Sequence, residues 1–232
     1  MNILLVSPHS DDIALSMNDF IDQHLVGHTL SLATVFSSTT YANGEFGDMK
    51  YVSNLRNEED KAFVNSKYGL INAYISFDFE DACVRFPGDW NIMDLLSLKH
   101  ETTTFLGEIK DNMDTLVKDF EVEGIFIPCA FGHKDHYLVR EVFRSLTVKK
   151  QPKLAYYSDF PYWTSLKSEE RYYKMSKHIG DMVSLDVIPE DPKKKIEVLS
   201  KYPSQIDSAM LEVISMNRKE EIWSKSPFWE IK

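Results

Sequence analysis

Short apolar runs alternate along the chain with longer segments of helical periodicity, and this alternation constrains the fold more than any other feature. The first run, Ile3 to Val6, has no polar position, which is typical of a strand buried on both faces of a parallel sheet. Further strands are predicted at Thr29 to Phe36, Ile71 to Phe77, Gly124 to Pro128, Lys153 to Tyr157 and near Met182 to Ile188. The repeated βαβ pattern predicts an α/β, Rossmann-like three-layer fold with a mostly parallel sheet and an active site at the carboxyl ends of the strands.

The spacing of apolar residues, with the positions of glycine and proline, predicts the helices between these strands. They cover Ile13 to Val26, Val52 to Tyr68, Leu95 to Phe120 with a break near Gly107, Asp135 to Leu146, a helix starting at Pro189 to Pro192, and Ser208 to Ile222. Two loops are predicted, at Ser37 to Gly47 and Asp78 to Met93. The 232 residues contain no repeats and no linker-like stretch, so residues 1–232 are predicted to form one domain.

The net charge and the cysteine content limit which partners and which metal ligands this chain can have. The chain has 36 acidic and 26 basic residues, and its net charge of -10 disfavours nucleic acid and anionic membranes. Met1 and Asn2 lead directly into the first strand, without a signal sequence or a membrane span, so a cytoplasmic location is expected. The two cysteines, Cys83 and Cys129, form no CxxC pair, so any metal here would be bound by histidine and carboxylate.

Two segments dense with histidine and aspartate follow the first and fourth predicted strands. They are PHSDD at residues 8–12 and GHKDH at residues 132–136. Loops after parallel strands emerge at the same sheet edge, so these two are expected to face each other across a crevice. Two histidines and one aspartate match the three protein ligands of a catalytic zinc site, which leaves a position for water. The adjacent pair Asp11 and Asp12 offers one ligand and one base to take a proton from that water.

These segments resemble the LmbE/PIG-L family of metal-dependent N-deacetylases, which carries PHxDD after the first strand, RxxE on a helix and GHxDH after the fourth strand. The resemblance spans almost the whole chain. It covers Ser7 to Ser16, Arg56 to Glu59, Asp81 with Arg85, Tyr156 to Tyr162, and Lys195 through Tyr202 to Gln205.

The resemblance implies a reaction and a set of ligands. It implies hydrolysis of an N-acetyl group from an amino sugar or related small molecule, which releases acetate and an amine. It also implies metal ligation by His9, Asp12 and His136, with Zn²⁺ as the cofactor and Fe²⁺ as the alternative, and Asp11 as the general base.

The remaining site residues follow from the same resemblance. His133 is expected to stabilise the oxyanion or protonate the leaving amine, and Asp135 to orient His133. Arg56 resembles the substrate-contacting arginine of the family, and Asp81 and Arg85 are carried over as further substrate-binding residues. The expected partner is a small N-acetylated sugar or sugar conjugate, and the oligomeric state stays open, a homo-oligomer included.

The chain also departs from the family pattern. The family continues PHxDD to a Gly-Gly pair, whereas this chain has Ser16-Met17-Asn18, so the substrate side of the pocket is expected to be reshaped. Ser10 replaces the more usual proline or leucine, which is expected to be tolerated.

Several residues also have a purely structural interpretation. Asp11 or Asp12 would cap the following helix, and Arg56 would form a surface ion pair with Glu59 three positions along. The aromatic residues between Tyr156 and Trp163 suit core packing better than a sugar-stacking platform.

Three other functions compete with N-deacetylation. The first is a metal-dependent amide or carbamate hydrolase acting on a non-sugar substrate. The second is a non-catalytic small-molecule-binding homologue, which retention of the ligands and of the acid and base groups disfavours. The third is a nucleotide-binding Rossmann protein, but the turn after the first strand contains no glycine, so the dinucleotide fingerprint is missing.

Overall fold

A seven-stranded sheet runs through the computed structural model, which describes residues 1–42, 44–87, 103–164, 166–180, 182–188, 192–216 and 219–230. The sheet has the order β5-β2-β1-β6-β7-β9-β8. Its strands are β1 (Asn2–Ser7), β2 (Thr29–Thr34), β5 (Ile71–Ser76), β6 (Gly124–Pro128), β7 (Lys153–Tyr157), β8 (Val183–Val187) and β9 (Glu220–Ser224). Two further strands, β3 (Tyr41–Ala42) and β4 (Glu45–Phe46), form a separate antiparallel hairpin.

Eight helices connect and flank these strands in the described part of the chain. They are α1 (Asp12–His24), α2 (Met49–Ser66), α3 (Ala82–Arg85), α4 (Thr103–Asp119), α5 (Lys134–Arg144), α6 (Ser168–Ile179), α7 (Pro192–Leu199) and α8 (Ser208–Met216). α1 contacts β1, β9 and α7, whereas α4 packs on α5, and α5 contacts β6. None of the helices in the described ranges is both long enough and apolar enough to cross a membrane.

The sheet reverses its order of winding at β1. From β1 the chain adds β2 and then β5 on one side, and it returns to add β6 and then β7 on the other side, all in parallel. The carboxyl ends of β1 and β6 are therefore neighbours at a topological switch point, where open α/β sheets bind their ligands. The predicted α/β fold with a mostly parallel sheet is confirmed, because within the seven-stranded sheet, as far as it is described, only β9 runs antiparallel to its neighbours.

The predicted helix from Ser208 to Ile222 is wrong in its second half. α8 ends at Met216, and Glu220–Ser224 forms β9, all of whose residues are buried between β7 and β8. Trp223 lies opposite Tyr156 of β7, and its indole nitrogen donates a hydrogen bond to Ser158. Pairing with two strands that are distant in sequence decides this conformation. The local pattern of apolar residues contains no information about such pairing.

Other differences are local. The predicted loop at Ser37 to Gly47 contains the β3–β4 hairpin, and the loop at Asp78 to Met93 contains α3, although its part from residue 88 onward lies outside the described residues. α4 passes through Gly107 without the predicted break, and the start of the predicted helix, residues 95–102, also lies outside them. α6 was not predicted.

Gly124 shows how closely β6 packs. A Cβ atom at this position would lie 2.4 Å from Cε2 of Phe228, whose buried ring packs on Phe126 and Trp229. That distance is well inside van der Waals contact, and the ring has packed neighbours that limit its movement. Gly107 is the opposite case, since nothing lies within 4 Å of a Cβ placed there in α4.

We predict that these two glycines respond in opposite directions to the same substitution. Gly124→Ala should lower the free energy of unfolding by about 1–3 kcal/mol through overpacking. Gly107→Ala should raise it by about 0.5–1 kcal/mol, because alanine restricts the unfolded chain and favours the helix. Urea denaturation of both variants beside the parent protein measures the two changes, and equal changes would contradict the packing at β6.

Candidate metal centre

The turn between β1 and α1 places two adjacent aspartates at the switch point. Asp11 occupies the position before the helix with a φ of 113°, a left-handed conformation that is uncommon for a residue other than glycine. Its side chain forms no capping hydrogen bond within the described structure, so the capping interpretation of Asp11 is wrong. The carboxylate of Asp12 turns back instead and accepts a hydrogen bond from the backbone N–H of His9 at 2.8 Å.

The Asp12 carboxylate lies between two imidazole rings. Its Oδ2 is 3.6 Å from Nδ1 of His9, and its Oδ1 is 3.3 Å from Nε2 of His136. Two ligands that each lie 2.0–2.1 Å from a tetrahedral zinc ion are about 3.3 Å from each other, so these separations suit a shared ion. The three residues predicted as ligands are therefore brought together by the fold.

His136 supplies a second reason to place a cation here. Its Nε2 atom is fully buried, and although Oδ1 of Asp12 lies 3.3 Å away, no group among the described residues meets it in hydrogen-bond geometry. A buried ring nitrogen without a partner is costly, and a metal ion would use its lone pair. Nitrogen atoms of His9, His133 and His136 also lie within 4.8 Å of one another, so His133 is close enough to join or assist the site.

Each of the two histidines predicted as ligands is hydrogen-bonded to a buried carboxylate on the side of the ring away from Asp12. Nε2 of His9 lies 2.8 Å from Oδ2 of Asp135, and Nδ1 of His136 lies 3.0 Å from Oδ2 of Asp159. This arrangement of carboxylate, imidazole and metal fixes the ring and its tautomer in many metal sites. The prediction that Asp135 orients His133 is therefore wrong for its carboxylate, which bonds His9.

Asp159 is the residue that sequence reasoning missed. It is completely buried after β7, and it also accepts a hydrogen bond from the backbone N–H of Phe131. It lies within the Tyr156 to Tyr162 segment of the resemblance, but the aromatic residues around it drew attention to packing. The presence of a carboxylate in an apolar segment was the available signal, since buried carboxylates require partners.

His133 contacts Asp135 through the backbone. Its Nδ1 accepts a hydrogen bond from the Asp135 backbone N–H at 3.1 Å, so the proton of the neutral ring is on Nε2. Burial, together with the positive charge of His9, holds the pKa of His133 well below its usual range. The ring therefore offers a neutral N–H donor beside the other two histidines.

The centre is rich in negative charge that positive neighbours compensate. Burial alone would lower the pKa of His9, but Asp12 and Asp135 outweigh it and raise this pKa to about 9. Burial likewise opposes protonation of His136, yet Asp12 and Asp159 raise its pKa to about 10. Carboxylates that can hold two protonated imidazoles are equally suited to a divalent cation.

Asp11 faces the cavity beside a buried guanidinium. Burial raises the pKa of Asp11 to about 7, against the opposing effect of Arg56. Nη2 of Arg56 lies 3.7 Å from Oδ1 of Asp11 and donates a hydrogen bond to the carbonyl of Ser10 at 2.8 Å. Nε of Arg56 has no hydrogen-bond partner in the described part of the chain. The arginine is thus held beside Asp11 at the cavity.

The surface ion pair considered for Arg56 and Glu59 is wrong. Both residues are 5% exposed, and the Glu59 carboxylate accepts hydrogen bonds from the backbone and the hydroxyl of Ser204. Glu59 therefore ties α2 to the segment that carries Gln205, which lines the cavity.

Asp81 and Arg85, both predicted to bind substrate, differ in their position relative to the cavity. Asp81 lines the cavity, and its carboxylate also caps α3 by accepting a hydrogen bond from Val84 N–H. Arg85 is not among the cavity-lining residues described, and its Nη2 donates to Oδ1 of Asp135 at 2.6 Å. The carboxylate of Asp135 therefore occupies the Arg85 guanidinium, and substrate binding by Arg85 stays a prediction.

A cavity of about 250 Å³ opens above these groups. Its polar floor is formed by His9, Asp11, Asp12, Arg56, Asp81 and His133. Its wall is mostly apolar and includes residues that the sequence did not single out, namely Leu15, Tyr41, Phe46, Phe86, Ile206 and Met210. The hairpin and α8 bring in several of these from segments without any recognisable motif.

The aromatic segment from Tyr156 to Trp163, which begins within β7, has both of the roles considered for it. Tyr156, Tyr157 and Trp163 are buried in the core, as predicted, whereas Phe160 and Tyr162 line the cavity. The backbone N–H of Phe160 donates to the hydroxyl of Ser16, at the start of the Ser16-Met17-Asn18 departure. The residues that replace the Gly-Gly pair therefore contact the cavity wall.

Comparison with known proteins agrees with this site. No model of a known protein family matches the chain. The 2'-N-acetylparomamine deacetylase of Streptomyces fradiae is 27% identical over 210 residues, which are 88% of this chain and 73% of that protein.

Two solved structures share the fold over nearly their whole length. A deacetylase of the teicoplanin biosynthesis pathway has a TM-score of 0.70 at 22% identity, with 96% of this chain and 97% of that chain covered. The zinc-inhibited form of the teicoplanin deacetylase Orf2 has a TM-score of 0.69 at 21% identity, with the same coverage. These relatives belong to the LmbE/PIG-L family, so the resemblance inferred from the two His/Asp segments is confirmed.

We predict that Asp159→Asn weakens metal binding about 10- to 100-fold, because His136 then loses the charged acceptor that orients its ring. Isothermal titration of metal-free protein with Zn²⁺ measures the affinity. Asp111→Asn, at an exposed position in α4, is the matched control and should leave the affinity unchanged. Equal affinities for the two variants would mean that Asp159 has no part in metal binding.

Proposed function

We propose that this protein is a metal-dependent N-deacetylase, a hydrolase that cleaves the acetyl amide of an amino sugar or related small molecule and releases acetate and a free amine. The observation that carries the proposal is the Asp12 carboxylate between the facing nitrogens of His9 and His136, beneath a cavity that Asp11 also lines. The similarity to a 2'-N-acetylparomamine deacetylase supports an N-acetylated amino sugar as the substrate class.

The proposed ligands are His9, Asp12 and His136. Imidazole and carboxylate donors without thiolate suit Zn²⁺, and Fe²⁺ is the alternative. Zinc inhibits the similar teicoplanin deacetylase, so the choice of metal belongs among the properties to be tested. When bound, such an ion polarises the acetyl carbonyl and activates water for attack on it.

Asp11 is the proposed general base. It lies on the same turn as Asp12, faces the cavity, and has no capping role in the described structure that would occupy its carboxylate. A carboxylate in this position accepts the proton of the attacking water as the tetrahedral intermediate forms. Arg56 beside it limits the directions in which the carboxylate can turn.

His133 is the proposed partner of the developing oxyanion. Its Nδ1 is occupied by the Asp135 backbone N–H, so its Nε2–H is the free donor of a neutral ring. Such a preorganised donor stabilises negative charge on the former carbonyl oxygen, and the same proton is available to the leaving amine. Asp135 assists indirectly, through His9 rather than through the His133 ring.

Arg56 and Asp81 are the proposed substrate-binding residues, because both line the cavity near Asp11. The guanidinium group of Arg56 and the carboxylate oxygens of Asp81 suit sugar hydroxyl groups. We further propose that residues 1–232 act as one domain in the cytoplasm. The substrate's exact structure and the number of subunits are left to experiment.

We predict that Asp11→Asn lowers kcat on an N-acetylated amino sugar by about 10²- to 10⁴-fold, because the amide cannot accept the proton. Asparagine also tolerates the left-handed backbone, so the fold should be retained.

The substrate for this assay is first identified with the parent protein. A panel of N-acetylhexosamines, non-sugar acetamides and carbamates, assayed for released amine, identifies the substrate class. Full activity of the variant on a verified substrate would exclude Asp11 as the base.

We also predict that His136→Ala abolishes stoichiometric metal binding and activity together. Removal of this buried ligand leaves Asp12 and His9 as an incomplete set. Elemental analysis of the purified parent and variant proteins measures the metal content and identifies the metal. A variant that retains one metal per chain would require a different ligand set, such as one that includes His133.

A further inference from the structure

Arg85 lies behind the candidate metal centre, where it binds the carboxylate that holds His9. Its Nη2 atom donates to Oδ1 of Asp135 at 2.6 Å, and the two side chains are 9% and 0% exposed. The backbone N–H of Ala82 donates to Oδ2 of the same carboxylate at 2.9 Å. α3 therefore supplies two donors, one to each oxygen of Asp135.

The third group on this carboxylate is the imidazole of His9. Its Nε2 lies 2.8 Å from Oδ2 of Asp135. Rotation of the carboxylate would break its bonds to Arg85 and Ala82, so these two donors fix the direction in which His9 is held. The hydrogen bond to Asp135 places a proton on Nε2, so when a metal ion is bound the available lone pair is on Nδ1, the nitrogen that lies 3.6 Å from Oδ2 of Asp12.

Arg85 is itself held by aromatic rings. Its guanidinium carbon lies 4.9 Å from the ring centroid of Phe36, 5.1 Å from that of Phe105 and 5.4 Å from that of Phe86. A planar guanidinium can stack on such rings while it donates to a carboxylate, whereas a lysine ammonium offers a point charge. The site is therefore shaped for arginine.

α3 is fixed to the same edge of the sheet as the metal centre. The Asp81 carboxylate caps α3, and the Asp81 backbone N–H donates to the carbonyl of Ser38 at 2.9 Å. Ser38 follows β2, the parallel neighbour of β1. The donors of α3 thus have a defined position relative to the turn that carries His9.

We propose that Arg85 is a positioning residue for the metal ligand His9. Through Asp135 it fixes the orientation of the His9 ring and leaves Nδ1 as the ligating atom, without contacting metal or substrate. The inference rests on the proposed function and extends it to a residue outside the cavity.

Zinc titration of metal-free protein tests this role. Arg85→Met should weaken Zn²⁺ binding about 10- to 100-fold, as for other residues that orient metal ligands. Arg144→Met is the matched control, because Arg144 lies at the end of α5 and pairs with Glu141 on the surface. The control should bind Zn²⁺ within twofold of the parent protein. Binding by Arg85→Met within twofold of the parent, with a raised KM, would overturn the proposal in favour of substrate contact.

A double-variant comparison separates positioning from a general structural effect. If Arg85 acts through Asp135, then adding Arg85→Met to Asp135→Asn should cause no further loss of Zn²⁺ affinity. Losses that multiply would overturn the proposal. The absorption bands of bound Co²⁺ should change in the same way in both single variants, because both remove the interaction that orients the His9 ring.

Two controls keep the outcomes distinct. Circular dichroism establishes that the metal-free variants are folded, and if Arg85→Met is not, Arg85→Lys replaces it. Lysine retains the charge but loses the planar fork, so about tenfold weaker Zn²⁺ binding is expected, and parent-like affinity would overturn the proposal. Failure of the parent protein to bind Zn²⁺ or Fe²⁺ would instead contradict the proposed function, and the role of Arg85 with it.

Discussion

The parallel pairing of β1 with β6 is the constraint on which the rest of the site depends. The hydrogen-bonded register places Leu5 opposite Phe126, so both strands end at the same sheet edge and their following turns meet. The rings of His9 and His136 then lie with their centroids 5.3 Å apart, although 126 residues separate them in the chain. Because both strands are buried, a shift in their register would expose or bury the wrong side chains, and the fold resists it.

Burial of charge sets the second constraint. Asp12, Asp135 and Asp159 are each at most 4% exposed, and a buried carboxylate is costly unless it is paired and hydrogen-bonded. The described contacts meet this requirement with imidazoles, backbone N–H groups and Arg85. The same partners that make these carboxylates tolerable also orient the ring nitrogens, so stability and metal binding depend on one network.

Prediction from sequence succeeded where local pattern and structure coincide. The strand at Lys153 to Tyr157 and the helix that begins within GHKDH were found because their apolar residues have the period of the element itself. It failed at β9, where two partner strands override the local pattern, and at Asp159, whose role depends on the residues that it meets. The motif for Arg85 was recognised, but its partner was not.

The sequence by itself determined the positions of the parallel strands β1, β2, β5, β6 and β7 along the chain and the chemical groups at their ends, since their apolar runs and the donor types of histidine and aspartate are properties of the residues. Only the tertiary structure decided that Asp135 holds His9, that Asp159 holds His136 and that Arg85 binds Asp135. The physical reason is that a side chain forms hydrogen bonds with whichever groups the sheet and its loops bring within about 3 Å, and sequence spacing does not contain that distance.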